Sequence, residues 1–220
     1  MSTHRHLVAL DFDGTLVSCV DKQIYALQKA CSQQNAKYVE YDQFWELKRK
    51  GFSTQKALHA TGVDEAAAHD IATLWVDIVE SDDACERDVL LPGVVDALSD
   101  LASYADIMLL SARRDSALLG RELDALGLLK FFTHWETVSP LSGVGSSKAE
   151  RLAHHGACCY VGDTESDLSA AQKADIPFYL LCTGQRSREF FEQNAQIVLP
   201  QTIYGHFQHV ANDIKHDLLS

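Results

Sequence analysis

The sequence predicts an α/β fold: a three-layer core around a parallel sheet, with an all-helical block inserted after the first strand. Three observations predict it. Short, near-continuous apolar runs alternate with helical patterns, as in βαβ units whose strands are buried on both faces. Between positions 18 and 90 that rhythm stops and only helical patterns remain. The 220 residues, 46% of them apolar, suffice for one such core and a modest insertion.

Leu7-Val8-Ala9-Leu10 is the first strand. Helical patterns follow at 22–33, 41–48, 54–59 and 64–79. Leu91-Pro92-Gly93 marks the return to the core, and Val94, Leu98 and Leu101 begin a new helix. The runs 106–110, 157–161 and 178–181 are further strands, with a weaker one at Gln196-Ile197-Val198-Leu199 and an edge strand within 131–138. The tail, 202–219, is amphipathic and reads as a docking helix. The division expected is therefore a core made of 1–17 and 91–220, interrupted by a helical unit at 18–90.

A formal charge of −12 argues against nucleic acid as a partner and against a polybasic membrane-surface role. No apolar run approaches membrane-spanning length, and the opening Met1 to His6 lacks the layout of a signal peptide. None of the six cysteines forms a C-x-x-C pattern, and vicinal Cys158 and Cys159 read as buried thiols. A reduced, cytoplasmic setting is the expectation. The ten histidines do not assemble into a metal site by spacing.

Four short constellations could carry chemistry. Asp11-Phe12-Asp13-Gly14-Thr15 directly follows the first strand. Carboxylates at i and i+2 leave an extended chain on one side, at the strand end where open α/β sheets gather ligands. Like charges so close call for a cation, and Mg2+ is the natural one for hard oxygen donors. Gly14 permits a tight turn there. In Gly162-Asp163-Thr164-Glu165-Ser166-Asp167, again after a strand, Asp163 and Asp167 can face one metal. Thr164-x-x-Asp167 equally fits a capping box, and capping and ligation are compatible. Ser111 ends a strand before a helix that opens near Asp115; a hydroxyl beside free N–H groups there is either a phosphate cradle or a simple cap. Arg113 and Arg114 lie beside it; the expectation is solvated surface arginines, the alternative that one of them approaches the phosphate. In Ser147-x-x-Glu150, a capping box would put Lys148 in a first helical turn, where a bound anion would offset the helix dipole; a surface lysine is the alternative.

Taken together, Asp11-Phe12-Asp13-Gly14-Thr15-Leu16, Ser111, Lys148 and the 162–167 segment resemble the haloacid-dehalogenase-like hydrolase superfamily. The closest resemblance is to its phosphoglycolate-phosphatase-like members with a helical cap, and it covers essentially the whole chain. The first and last motifs are specific; Ser111 and Lys148 are individually weak signals. The resemblance implies a Rossmann-like core, a cap at 18–90, and Mg2+-dependent hydrolysis of a small phosphorylated metabolite through an aspartyl-phosphate. It makes Asp11 the nucleophile and Asp13 the general acid/base. It assigns the metal to Asp11, Asp13, Asp163 and Asp167, and the phosphoryl oxygens to Ser111, Ala112 and Lys148. An acid at position 13 favours an ester over a carbon–halogen or carbon–phosphorus bond. The basic stretch Lys48-Arg49-Lys50 in the cap is the candidate specificity element, or else a solvated helix end. Two other functions share these motifs: a phosphomutase or phosphotransferase on a sugar phosphate, and a non-catalytic phosphate-binding regulator.

Overall fold

The computed structural model describes residues 5–36, 39–141, 143–194 and 202–220. Strand β1 (Leu7–Leu10) lies at the middle of a six-stranded sheet. On one side of it stand β4 (Asp106–Ser111) and the edge strand β5 (His134–Thr137). On the other stand β6 (Cys159–Gly162), β7 (Phe178–Leu181) and β8 (Ile203–Tyr204). The order is β5-β4-β1-β6-β7-β8, and every pairing within it is parallel. Val8, Ala9, Leu10 and the apolar residues of β4 are completely buried, as continuous rather than alternating hydrophobicity requires.

Helices cover both faces. Alternate residues Val8, Leu10, Ile107 and Leu109 pack against α6 (Val94–Tyr104), α7 (Ser116–Ala125) and α11 (Phe207–Leu219). Ala9, Met108 and Leu110 point the other way, toward α8 (Val144–His155) and α9 (Glu165–Ala174). The expected tail helix is real but shorter, because Ile203 and Tyr204 pair with Leu180 and Leu181 to extend the sheet. The weak strand expected at 196–199 lies outside the described residues.

Between β1 and α6 run α1 (Val20–Gln33), α2 (Tyr41–Arg49), α3 (Thr54–Ala60), α4 (Glu65–Val79) and the single turn α5 (Asp82–Cys85). They close around a hydrophobic cluster of their own, including Leu27, Phe44, Leu58 and Ile71. Where the chain leaves and rejoins the core, β2 (Val17–Ser18) and β3 (Val89–Leu90) form a two-stranded antiparallel ribbon that spacing did not reveal. Cys159 is buried as expected, whereas Cys158 is only half-buried.

Candidate active site

In a parallel sheet that winds first to one side of β1 and then to the other, the chain diverges at the carboxyl ends of the central strands and leaves a crevice. Asp11 directly follows β1, Ser111 ends β4, and Asp163 directly follows β6, so all three open onto it. Asp11, Asp163 and Asp167 are buried, and one carboxylate oxygen from each falls within 4.8 Å of the others.

One cation faces this group. Lys148 Nζ donates to Asp11 Oδ1 at 2.8 Å, to Asp167 Oδ1 at 2.5 Å and to the Tyr160 hydroxyl at 2.8 Å. The lysine comes from the second turn of α8, not the first. The helix begins at Val144 behind Gly143, and no capping box forms at Ser147. The burial that opposes its charge is outweighed by Asp11 and Asp167, which hold the ammonium above its ordinary range. Asp167 caps α9, as foreseen, and also turns one oxygen toward the cluster. Its Oδ2 accepts from the backbone N–H and hydroxyl of Thr164 in a complete capping box, while Oδ1 accepts from Lys148 and Tyr160.

Asp163 is held differently. Its Oδ2 accepts from the Gln185 backbone N–H at 2.7 Å, and Gly14 and Gly184 close over it so tightly that a Cβ on either would sit 2.4 or 1.9 Å from that oxygen. Side chains at 14 and 184 would therefore displace the carboxylate. Its Oδ1 is buried with no hydrogen-bond partner among the described residues. Burial, then the charges of Asp11 and Asp167, push the Asp163 carboxyl well up, and burial raises Asp11 to about 7. Three carboxylates thus converge beside one ammonium, a set of oxygen donors suited to a hard cation.

Asp13 turns away from this group into a second network. Arg113 grips it bidentately, Nε to Oδ2 and Nη2 to Oδ1, both at 2.7 Å, and Lys22 Nζ adds 2.5 Å to Oδ1. Burial alone would raise the Asp13 carboxyl, but Arg113 and Lys22 together bring it far below the usual range. Arg113 also reaches Glu122 at 2.5 Å and Asp88 at 3.2 Å, and Lys22 makes a short contact with Asp88. The expectation of a solvated Arg113 is overturned: it is buried, because three carboxylates compensate its charge inside the protein. Arg114 is exposed, but it bridges from the core to Asp77 and Glu80 at the end of α4.

A cavity of about 360 Å³ joins the two networks and is also lined by Ser111, Ala112, Lys48, Trp75 and Arg186. Lys48 is buried, donates among the described residues only to Thr54 Oγ1 at 3.1 Å, and lies 5.2 Å from the Trp75 ring centre. Burial, with Arg186 nearby, pulls it down to about 8. Arg49 and Lys50 do not line the cavity. Arg49 donates to the Cys182 carbonyl at 2.9 Å, tying α2 to the loop after β7, and Lys50 is exposed.

A protein-family model described as haloacid dehalogenase-like hydrolase matches residues 6–175. The chain belongs to the haloacid dehalogenase-like hydrolases. Comparison with curated protein sequences returns no match. Among solved structures, a haloacid dehalogenase-like hydrolase from Streptococcus pneumoniae superposes with a TM-score of 0.75 at 16% identity, covering 97% of this chain and 100% of that one. A predicted phosphatase from Clostridium acetobutylicum gives 0.72 at 16% identity, with the same coverages. A predicted phosphoglycolate phosphatase from Haemophilus somnus gives 0.71 at 17% identity, again with 97% and 100% covered. At such identities the likeness concerns the fold.

Within this haloacid dehalogenase-like hydrolase, the sequence motifs supplied Asp11, Asp13, Ser111, Lys148, Asp163 and Asp167, all of which line one cavity. They did not supply Lys22, Asp88, Glu122 or Tyr160. Lys22, Asp88 and Glu122 sit among other polar residues and Tyr160 in an apolar strand, and no spacing rule marks any of them. The one available signal was Tyr160, a hydroxyl in an otherwise apolar buried strand, since buried Tyr hydroxyls usually have a partner.

Proposed function

We propose that this haloacid dehalogenase-like hydrolase is a Mg2+-dependent phosphatase that cleaves a small-molecule phosphate monoester through an aspartyl-phosphate on Asp11. One observation carries the reading: the buried, unpartnered Oδ1 of Asp163 among three converging carboxylates that share a single ammonium. An uncompensated buried carboxylate oxygen is costly, and a hard dication with oxygen ligands would relieve it. Asp11, Asp163 and Asp167, with the backbone carbonyl of Asp13, would hold Mg2+. When bound, the ion neutralises charge on the transferring phosphoryl group.

The protein's own groups then divide the work. Lys148 occupies Asp11 Oδ1 and steadies its charge, leaving Oδ2 to meet phosphorus in line. Ser111, the Ala112 backbone and Lys148 receive the equatorial oxygens at the carboxyl end of the sheet. Asp13 protonates the departing oxygen and afterwards takes a proton from the attacking water. Held by Arg113 and Lys22, it is a carboxylate suited to the second task. The first requires it to leave that bidentate grip. Because Lys22 opens α1 and Asp88 precedes β3, displacement of the helices between them would alter the grip. In this reading, helices α1 to α5 act as a cap over residues 18–90 that shields the reaction from water. The phosphatase descriptions of the Clostridium and Haemophilus proteins agree in kind.

The reading is tested by inorganic phosphate release from a panel of metabolite phosphates. Release is expected with Mg2+, abolished by chelation and restored by added Mg2+, with no sugar-phosphate acceptor required. An enzyme that transfers phosphate only to such an acceptor, or shows no turnover across the panel, contradicts it.

Lys48 sets the far wall. Its ammonium lacks a carboxylate partner among the described residues, and the neighbouring Trp75 Nε1 is buried and unpartnered. Both suit an anionic or oxygen-rich group on the leaving alcohol. Lys48→Met is expected to raise KM about tenfold to a hundredfold, with kcat changing less. The ammonium is charged below about 8 and neutral above. Wild-type KM should therefore climb as pH passes upward through that value, and the Lys48→Met profile should be flat there. Identical pH dependence in the two proteins would remove Lys48 from substrate recognition. Arg49→Ala and Lys50→Ala are expected to disturb substrate ranking less than Lys48→Met does.

A further inference from the structure

Away from the cavity, two imidazoles and a carboxylate converge at the edge of the sheet. His134 and Glu136 alternate along β5, so both project from one face. In register they neighbour Met108 and Leu110, whose face is covered by α8. Trp135, between them, points to the opposite face against Gly120 of α7. The C-terminal turn of α8 overhangs this edge and brings His155 onto the same spot, twenty-one residues beyond His134 in the chain. Sequence spacing could not reveal the pair, because a strand, a loop and a whole helix separate its members.

We propose that His134, Glu136 and His155 form a binding site for a Zn2+-like late transition-metal ion, separate from the carboxylate cluster. The three ligand atoms lie within 4.8 Å of one another. His155 Nε2 is 3.2 Å from Glu136 Oε2, and His134 Nε2 is 3.5 Å from Oε1. Neighbouring ligands of a tetrahedral ion with bonds of about 2.0–2.1 Å stand roughly 3.3 Å apart, so both spacings fall close to those of a coordination sphere. His134 Nε2 is also buried and without a hydrogen-bond partner among the described residues. A ring nitrogen shielded from water and hydrogen-bonded to none of the described residues is a candidate ligand. The rings are 4.7 Å apart but tilted by 41°, so they do not stack face to face.

The surroundings favour a cation. The site adjoins the C-terminal turn of α8, where the helix dipole is negative. Arg151, 3.9 Å from Glu136 Oε2, competes for that oxygen but is half exposed and free to swing into water. Two imidazoles and one carboxylate, with a fourth position left to water, select zinc-class ions over Mg2+. Such an ion would pin the outermost strand to the helix that carries Lys148.

The test is Zn2+ titration of the chelator-stripped full chain by calorimetry in saturating Mg2+, which occupies the hard-oxygen cluster. One Zn2+ per chain is expected. Affinity should fall at least about tenfold in His155→Ala and in Glu136→Gln, and be unaffected in the His206→Ala, His209→Ala double variant, whose rings form a close histidine pair elsewhere in the chain. Zn2+ should raise Tm by roughly 5 °C in the wild type and in neither site variant. Cu2+ substituted for Zn2+ should show paramagnetic coupling to two imidazole nitrogens, dropping to one in His155→Ala and in His134→Gln. Unchanged Zn2+ affinity in both His155→Ala and Glu136→Gln, or Cu2+ coupling that persists in the two histidine variants, would overturn the site.

Discussion

Asp11→Asn is expected to lower Mg2+-dependent phosphate release by at least about three orders of magnitude while leaving the protein folded. The amide keeps the shape of the side chain but is a far poorer nucleophile toward phosphorus. Stability should move little or improve. Burial already raises the Asp11 carboxyl to about 7, so its charge is held against a desolvation cost that the amide does not bear. Lys148 keeps two oxygen partners in the variant, Asp167 and Tyr160. Two measurements decide the matter. Thermal unfolding should give a Tm close to wild type, and mass spectrometry of acid-quenched turnover should find a phosphoryl adduct on Asp11 only when the aspartate is present. A variant that retains activity within about tenfold of wild type would rule out Asp11 as the covalent centre.

Lys148→Ala should do the opposite and damage the fold itself. The lysine is buried, and its ammonium is the only cation hydrogen-bonded to Asp11 or Asp167 among the described residues. Removing one partner of a buried charge cluster typically costs about 3–5 kcal/mol, because the remaining carboxylates lose their compensation. For a chain of this size that corresponds to a fall in Tm of roughly 6–20 °C. Mg2+ should recover part of the loss, since any ion that binds only the folded cluster shifts the equilibrium toward it. Urea unfolding with and without Mg2+ measures both effects. A variant as stable as wild type in chelator would mean that the carboxylates are neutral in the folded state and that Lys148 has no electrostatic role there.

Much of the architecture could be read from the sequence because its signals are local. A strand buried on both faces must be apolar throughout, so Leu7–Leu10 and the run ending at Leu110 declared themselves. Motif residues directly after such strands, Asp11 and Asp163, inherit their position from the sheet. What escaped was set by partners distant in the chain. Arg113 looked like a surface residue because nothing beside it neutralises it. Its carboxylates come from positions 13, 88 and 122. Lys148 was placed one turn too early because Ser147-x-x-Glu150 imitates a cap, whereas the helix starts at the left-handed Gly143. The Lys48-Arg49-Lys50 run was read as one unit, but successive helical residues point in different directions, and only the first lines the cavity. The histidines illustrate the same limit, for His134 and His155 meet only after a sheet edge and a helix end have been laid together.

The ion pairs around Arg113 bear on how this family could trade parts. Two of the four charges that surround its guanidinium, Lys22 and Asp88, belong to the ends of the helical insertion, while Asp13 and Glu122 belong to the sheet domain. A replaced insertion lacking those two residues would leave Arg113 only Asp13 and Glu122, and would take Lys22 from Asp13. Through positions 13, 22, 88, 113 and 122 the helical insertion and the sheet therefore form one electrostatic unit, and a change at any of them unbalances the rest.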